Sequence, residues 1–161
     1  MYAWLAGAAL LTATLTAPLV SGCSSDGPAE RGSTADAYAL VLRWFVERSG
    51  TEVDQPLVFV EALGEGVSIG LDTQAAVLSS TVDFAEVRFI DDRSEALSDG
   101  VVRDGGIFIA LGPIVGAGTE VSIESAHITS ESSTIVWSFS LVSRDAEWRM
   151  RNEPEQVDSQ S

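Results

Sequence analysis

Between Ile135 and Leu141 every second residue is large and apolar: Ile135, Trp137, Phe139 and Leu141 sit in phase, with Ser138 and Ser140 between them. The polar run Arg144-Asp145-Ala146-Glu147 follows, after which Trp148 and Met150 alternate with Arg149 and Arg151. Side chains along a strand point to opposite faces in turn, so this is the pattern of a hairpin with one face turned to a core. A register slip of one residue would carry the whole apolar set into water, which pins the pairing. Whatever else the chain builds has to cover that face. Trp137 is accordingly expected to be buried between the sheet and a helix.

The cover comes from the other end of the chain. Tyr38, Val41, Leu42, Phe45 and Val46 recur at helical spacing and predict a helix over 34–49. Ser33 or Thr34 is placed to cap it, Asp36 suits its first turn, and Gly50 suits the position just past its end. Leu57-Val58-Phe59-Val60-Glu61 reads as a buried strand. A short helix is expected over 73–83, capped by Asp72, with Ala75, Leu78 and Val82 facing inward. Glu86–Asp91 alternates, and Ile107–Leu111 is a second buried strand, closed by Gly112-Pro113. Glu120–Ile128 alternates again, with Val121, Ile123 and His127 on one face. Helix first and strands after it give an α+β domain: an N-terminal helix packed on a mainly antiparallel sheet that ends in a hairpin.

The chain of 161 residues divides unevenly. Residues 1–22 hold no Asp, Glu, Lys or Arg, and an apolar run from Leu5 ends at Val20-Ser21-Gly22-Cys23. A small residue before the only cysteine, at the end of such a segment, has the form of a bacterial lipoprotein processing signal. Pro18 and the threonines loosen the segment where a cleavable signal gives way to its small-residue site. No positive charge precedes the apolar core, which departs from the usual signal pattern. A retained membrane anchor and a buried apolar helix are the other readings of this segment. The expectation is a signal peptide over 1–22, lipidation at Cys23, a flexible tether over 23–33, one domain over 34–153 and a frayed acidic tail over 154–161. Such a protein would be extracytoplasmic and held at the cell membrane by its lipid.

Composition narrows the chemistry. The formal charge is −15, and all nine basic residues are arginine. Nucleic-acid binders turn basic patches to phosphate, so nucleic acid is excluded as a partner. The membrane itself, reached through the lipid, a cell-envelope protein or a cationic molecule are the partners the charge leaves open. The absence of lysine excludes a P-loop, a Schiff base and a Ser–Lys dyad. With Cys23 acylated, no thiol is left for redox or nucleophilic work.

Residues 86–150 carry a resemblance. Val87-Arg88-Phe89, the run Val102-Arg103-Asp104-Gly105-Gly106-Ile107-Phe108-Ile109-Ala110-Leu111-Gly112-Pro113-Ile114, and a final hairpin ending Trp148-Arg149-Met150 resemble a group of small exported bacterial proteins of unknown function. The resemblance implies this fold and export, and it supplies no site. Members of that group often have a Cys-Gly-Gly-Leu-Cys-like stretch before the last hairpin. Ala126–Thr134 has no cysteine, so no disulfide carries over.

Few residues form a chemical constellation. Gly64-Glu65-Gly66-Val67-Ser68-Ile69-Gly70 has a glycine spacing one residue too long for a dinucleotide fingerprint, and Glu65 would oppose a pyrophosphate. No cofactor is expected. His127 is the only histidine, with no Gly-x-Ser-x-Gly elbow to supply its nucleophile, and reads as a structural strand residue. Asp91, Asp92 and Glu95 are weak candidates for calcium within an acidic loop over 91–104, where the position needing glycine in an EF-hand is Ala96. The function expected is a non-enzymatic binding or scaffolding domain. The alternatives are a small hydrolase using carboxylate pairs from 61–72 and 91–104, and a cystatin- or NTF2-like cup lined by Trp44, Trp137 and Trp148.

Overall fold

The computed structural model describes residues 31–157, so the expectations for the signal segment, for Cys23 and for most of the tether lie outside the described residues. No helix among the described residues is long and apolar enough to cross a membrane.

Helix α1 spans Thr34–Arg48, and Ser33 is its cap, accepting from the Asp36 amide. At the other end Ser49 bonds back to Phe45 and Val46, and Gly50 turns the chain with φ +67°. Strand β1 (Leu57–Ala62) leads to helix α2 (Leu71–Thr81) and strand β2 (Glu86–Phe89). The short strands β3 (Leu97–Ser98) and β4 (Val101–Val102) stand between two 3₁₀ turns at Arg93–Glu95 and Arg103–Gly105. Three long strands follow, β5 (Ile107–Ala117), β6 (Glu120–Ser130) and β7 (Ser133–Arg144), and then β8 (Glu147–Met150) and β9 (Glu155–Val157).

The nine strands of the described residues belong to one sheet. The order runs β2-β1-β5-β6-β7, with β8 and β9 end to end along the outer side of β7 and β4-β3 joining the end of β6. β1 pairs parallel with both β2 and β5, and every other pair is antiparallel. The parallel part explains the two unbroken apolar runs: Val58–Val60 and Ile107–Leu111 lie in central strands buried on both faces.

The two faces carry separate cores. Both helices cover one, where Tyr38, Leu42 and Phe45 meet Val58, Ile109, Leu111, Ile123, Phe139 and Leu141. On the other, Phe59, Phe108, Ala110, Ala126 and Ile128 are covered by the 90–106 segment through Ala96, Leu97 and Val102. The 91–104 stretch is therefore not a free acidic loop. Its small and apolar residues seal the second core while its charges face out.

Four further expectations change. β5 does not close at Gly112-Pro113 but runs on through a bulge, as the register passes from Leu111↔Ser125 to Ile114↔Ile123. The extra residue there needs no ladder donor, which admits proline. A side chain at Gly112 would strike the Glu124 carbonyl at 2.4 Å. α2 starts at Leu71 behind Gly70 rather than at Asp72, and it buries Val77 and Thr81 while Leu78 and Val82 are exposed. The Thr81 hydroxyl enters the core because it bonds back to the Val77 and Leu78 carbonyls. The chain does not leave the fold after Glu153, since Glu155–Val157 pairs with Ser138–Val136.

The fourth concerns Trp137, which is only partly buried. Burial along its face of β7 falls from Leu141 (1% exposed) and Phe139 (0%) to Ile135 (36%). α1 ends at Arg48 and does not reach the beginning of β7.

Candidate functional site

The uncovered end of that face forms a small groove that combines aromatic rings with polar groups. α1 delivers Trp44, Phe45 and Arg48 from its last turns, β6 delivers His127, and β7 delivers Ile135 and Trp137. His127 and Ile135 are cross-strand partners, so register alone brings the two together. The groove between them holds about 160 Å³, enough for one planar ring.

Its walls are packed aromatic rings, edge-to-face among Trp44, Trp137, Phe45 and Phe139, the favoured geometry for such rings, and tilted between Phe45 and His127. Trp44 meets Trp137 at 5.0 Å between centroids and Phe139 at 5.2 Å, while Phe45 meets Phe139 at 5.5 Å and His127 at 5.9 Å. The Arg48 guanidinium lies 4.6 Å from the Trp44 centroid and is ion-paired with Glu153. Burial among these groups pushes the His127 imidazole below its ordinary pKa, so it is neutral at pH 7. A neutral imidazole offers one donor and one acceptor at the rim. The groove can hold an apolar or aromatic ring face and supply one or two polar contacts.

The carboxylates are placed differently. Arg93 binds Glu61 through both oxygens, at 3.1 and 2.5 Å. Asp92 and Glu95 form a capping box around the 3₁₀ turn at Arg93–Glu95, with Ser94 donating to Asp92 at 2.8 Å. The two bonds from Ser94 hold the Asp92 carboxyl below the usual carboxylate range. Asp91 is exposed beside them. Among the described residues no three of His, Cys, Asp and Glu converge as a metal site would require, so Asp91, Asp92 and Glu95 do not meet around a common point. Asp99 and Glu131, both exposed, share a shallow depression with Arg93. Glu131 carried no sequence signal, because it reaches Asp99 only through the β4–β6 pairing.

The three tryptophans do not line one cup. Trp44 and Trp137 touch, whereas Trp148 secures the entry of the chain into the fold. Its indole N–H donates to the Ser33 carbonyl at 2.8 Å, and the Gly32 amide donates to Ser143 Oγ at 2.9 Å. The space beside Gly32 is filled by the Trp148 ring and the Ala146 carbonyl, each under 3 Å from where a Cβ would stand. The expected tether is thus fastened at its last two residues to the β7–β8 hairpin.

The Ser125 hydroxyl was missed by sequence reasoning. It is fully buried beneath the helix face and has no hydrogen-bond partner among the described residues. No local pattern marks it, since it lies in phase with Val121, Ile123 and His127 as any strand residue would. Compared with known proteins, the chain matches no family model, no curated protein and no solved structure.

Proposed function

We propose that this chain is a lipid-tethered, extracytoplasmic binding domain that recognises a ring-bearing ligand or side chain at the Trp44–Trp137 groove. The observation that supports it most directly is the contrast between the two kinds of site. The aromatic groove is open and has polar groups at its rim, whereas Glu61, Asp92 and Glu95 spend their oxygens on Arg93 and on local backbone. A general acid needs a carboxyl whose proton is held by burial or by a like charge, and these three instead accept hydrogen bonds from the Arg93 guanidinium and from local backbone amides.

The tether follows from Val20-Ser21-Gly22-Cys23. From Cys23 to Gly32 the chain spans at most about 30 Å when fully extended. Lipidation would therefore hold the β7–β8 hairpin end near the membrane.

The test is acylation and fractionation of the full chain. Metabolic labelling with a fatty-acid analogue is expected to mark the native chain in the membrane fraction, and Cys23→Ala is expected to lose both label and membrane retention. Unchanged labelling of the variant overturns the tether. A Trp44→Ala chain that binds envelope glycans and aromatic peptides as the native chain does overturns the groove.

A further inference from the structure

Helix α2 carries its apolar stripe on the outside. Leu71, Ala75, Leu78 and Val82 recur every three or four residues, and Leu71, Leu78 and Val82 are 80%, 43% and 60% exposed. The opposite flank faces α1, where Ser80 donates to Asp36 at 3.0 Å. The stripe therefore looks away from α1, over the outer edge of β2. A groove of about 430 Å³ runs between them, lined by Gln74 and Leu78 from the helix and by Val87, Arg88 and Phe89 from the strand.

Among the described residues no strand pairs with that edge of β2. The Glu86 amide donates to Pro56 and the Ile90 amide to Val60, so Glu86, Arg88 and Ile90 turn their backbone polar groups toward β1. Alternation then turns the N–H and C=O of Val87 and Phe89 outward. An open edge beside an exposed apolar helix stripe is a template for strand addition.

The charges on the edge select the strand. Glu86 and Arg88 point to the same side and bond each other along the strand, at 2.7 and 3.1 Å. If a second β2 lies antiparallel with Val87 opposite Val87, the outward backbone groups pair, and each Glu86 faces the other copy's Arg88. The register shifted by two residues would set Arg88 against Arg88, which like-charge repulsion disfavours. The same two-fold axis brings the two α2 stripes together on the helix side. We propose that β2 and α2 form a self-complementary dimer surface, in which two copies of this chain join their sheets edge to edge.

Sedimentation equilibrium of the full chain, in detergent matched in density to the buffer, tests this. A dimer is expected. Arg88→Glu makes two symmetry-related attractive pairs repulsive and should weaken it about tenfold. The charge swap Glu86→Arg/Arg88→Glu rebuilds both pairs in the Val87-centred register and should restore it, although it would not do so in the shifted register. Leu78→Asp should also weaken it, through the helix stripe. All three positions are on the surface, and unchanged circular dichroism of each variant separates lost pairing from lost folding. A chain that stays monomeric overturns the proposal. So does a dimer indifferent to Arg88→Glu, a swap that fails to restore pairing, or a photocrosslinker at position 88 that captures a different polypeptide instead of a second copy.

Discussion

Tyr38→Phe isolates the one side-chain bond that ties α1 to the bulge in β5. The Tyr38 hydroxyl donates to the Gly112 carbonyl at 3.0 Å, and both residues are buried. Gly112 has no register partner in β6, and the following Pro113 has no N–H to offer a neighbour. Removing the hydroxyl takes its donor away from that buried carbonyl, at a cost of about 1–3 kcal/mol. The ring is kept, so the packing contribution is unchanged. Part of the cost is offset because the phenol no longer has to shed water, and the expected loss at pH 7 is about 1.5 kcal/mol. In a domain of this size that lowers Tm by roughly 5 °C.

The same substitution has a second signature at high pH. Burial raises the Tyr38 pKa above its ordinary value. The unfolded chain then ionises near pH 10 while the folded chain still holds the proton. The stability linked to Tyr38 is complete below about pH 10 and is lost as pH rises through the higher folded value. Because the chain has no lysine, few other groups titrate in that window. Urea unfolding followed by circular dichroism from pH 7 to 11 should show a steeper alkaline decline in the native chain than in Tyr38→Phe. A loss under about 0.5 kcal/mol at pH 7, less than an ordinary hydrogen bond contributes, or identical alkaline limbs, would refute the bond as described.

Ala146→Gly is expected to stabilise the domain. Asp145 and Ala146 form a two-residue hairpin loop with φ of 53° and 62°, a backbone that costs a non-glycine residue about 1–2 kcal/mol. After the added freedom of glycine in the unfolded chain is subtracted, a gain of about 0.5–1 kcal/mol in urea unfolding remains, and no gain would show that the turn is unstrained. His127 governs the mildly acid range. Its folded pKa is lowered by burial, so the unfolded chain takes up the proton first, and stability falls as pH drops below about 6.5. His127→Gln should flatten this decline between pH 5 and 6.5, above the range where Asp92 titrates, and an unchanged slope would place the cause elsewhere.

Structure is most legible in this sequence where a pattern and its partner lie close together in the chain. Ile135 to Met150 could be read as a hairpin because both strands and their turn are consecutive, and Phe139, Leu141 and Trp148 are buried as its phase requires. Ser33, Asp36 and Gly50 marked α1 for the same reason. α2 shows the limit. The spacing of Ala75, Leu78 and Val82 put them correctly on one side, but periodicity tells which residues share a side and not which side meets the core. Thr81 could take the inner position because a helix lets its hydroxyl bond the preceding turn. The bulge at Gly112-Pro113 was illegible for a different reason: it exists only in relation to Glu124 on the neighbouring strand.

The sites depend still more on distant pairing. Trp44, His127 and Trp137 were each legible as a core-edge aromatic or a strand histidine, and none announced the others. Two register facts, His127↔Ile135 and Ser125↔Trp137, together with the length of α1, decide that they share a groove. Had α1 run one more turn, its side chains would have reached Ile135 and closed the groove into core. Ser49 and Gly50 end the helix short of that, and the stop signal that looked like simple punctuation is what leaves the aromatic rings accessible. The same holds at the other edge of the sheet. Glu86 and Arg88 read as an ordinary solvated face until the parallel ladder shows which backbone groups point outward, and only then does their charge order select a partner strand.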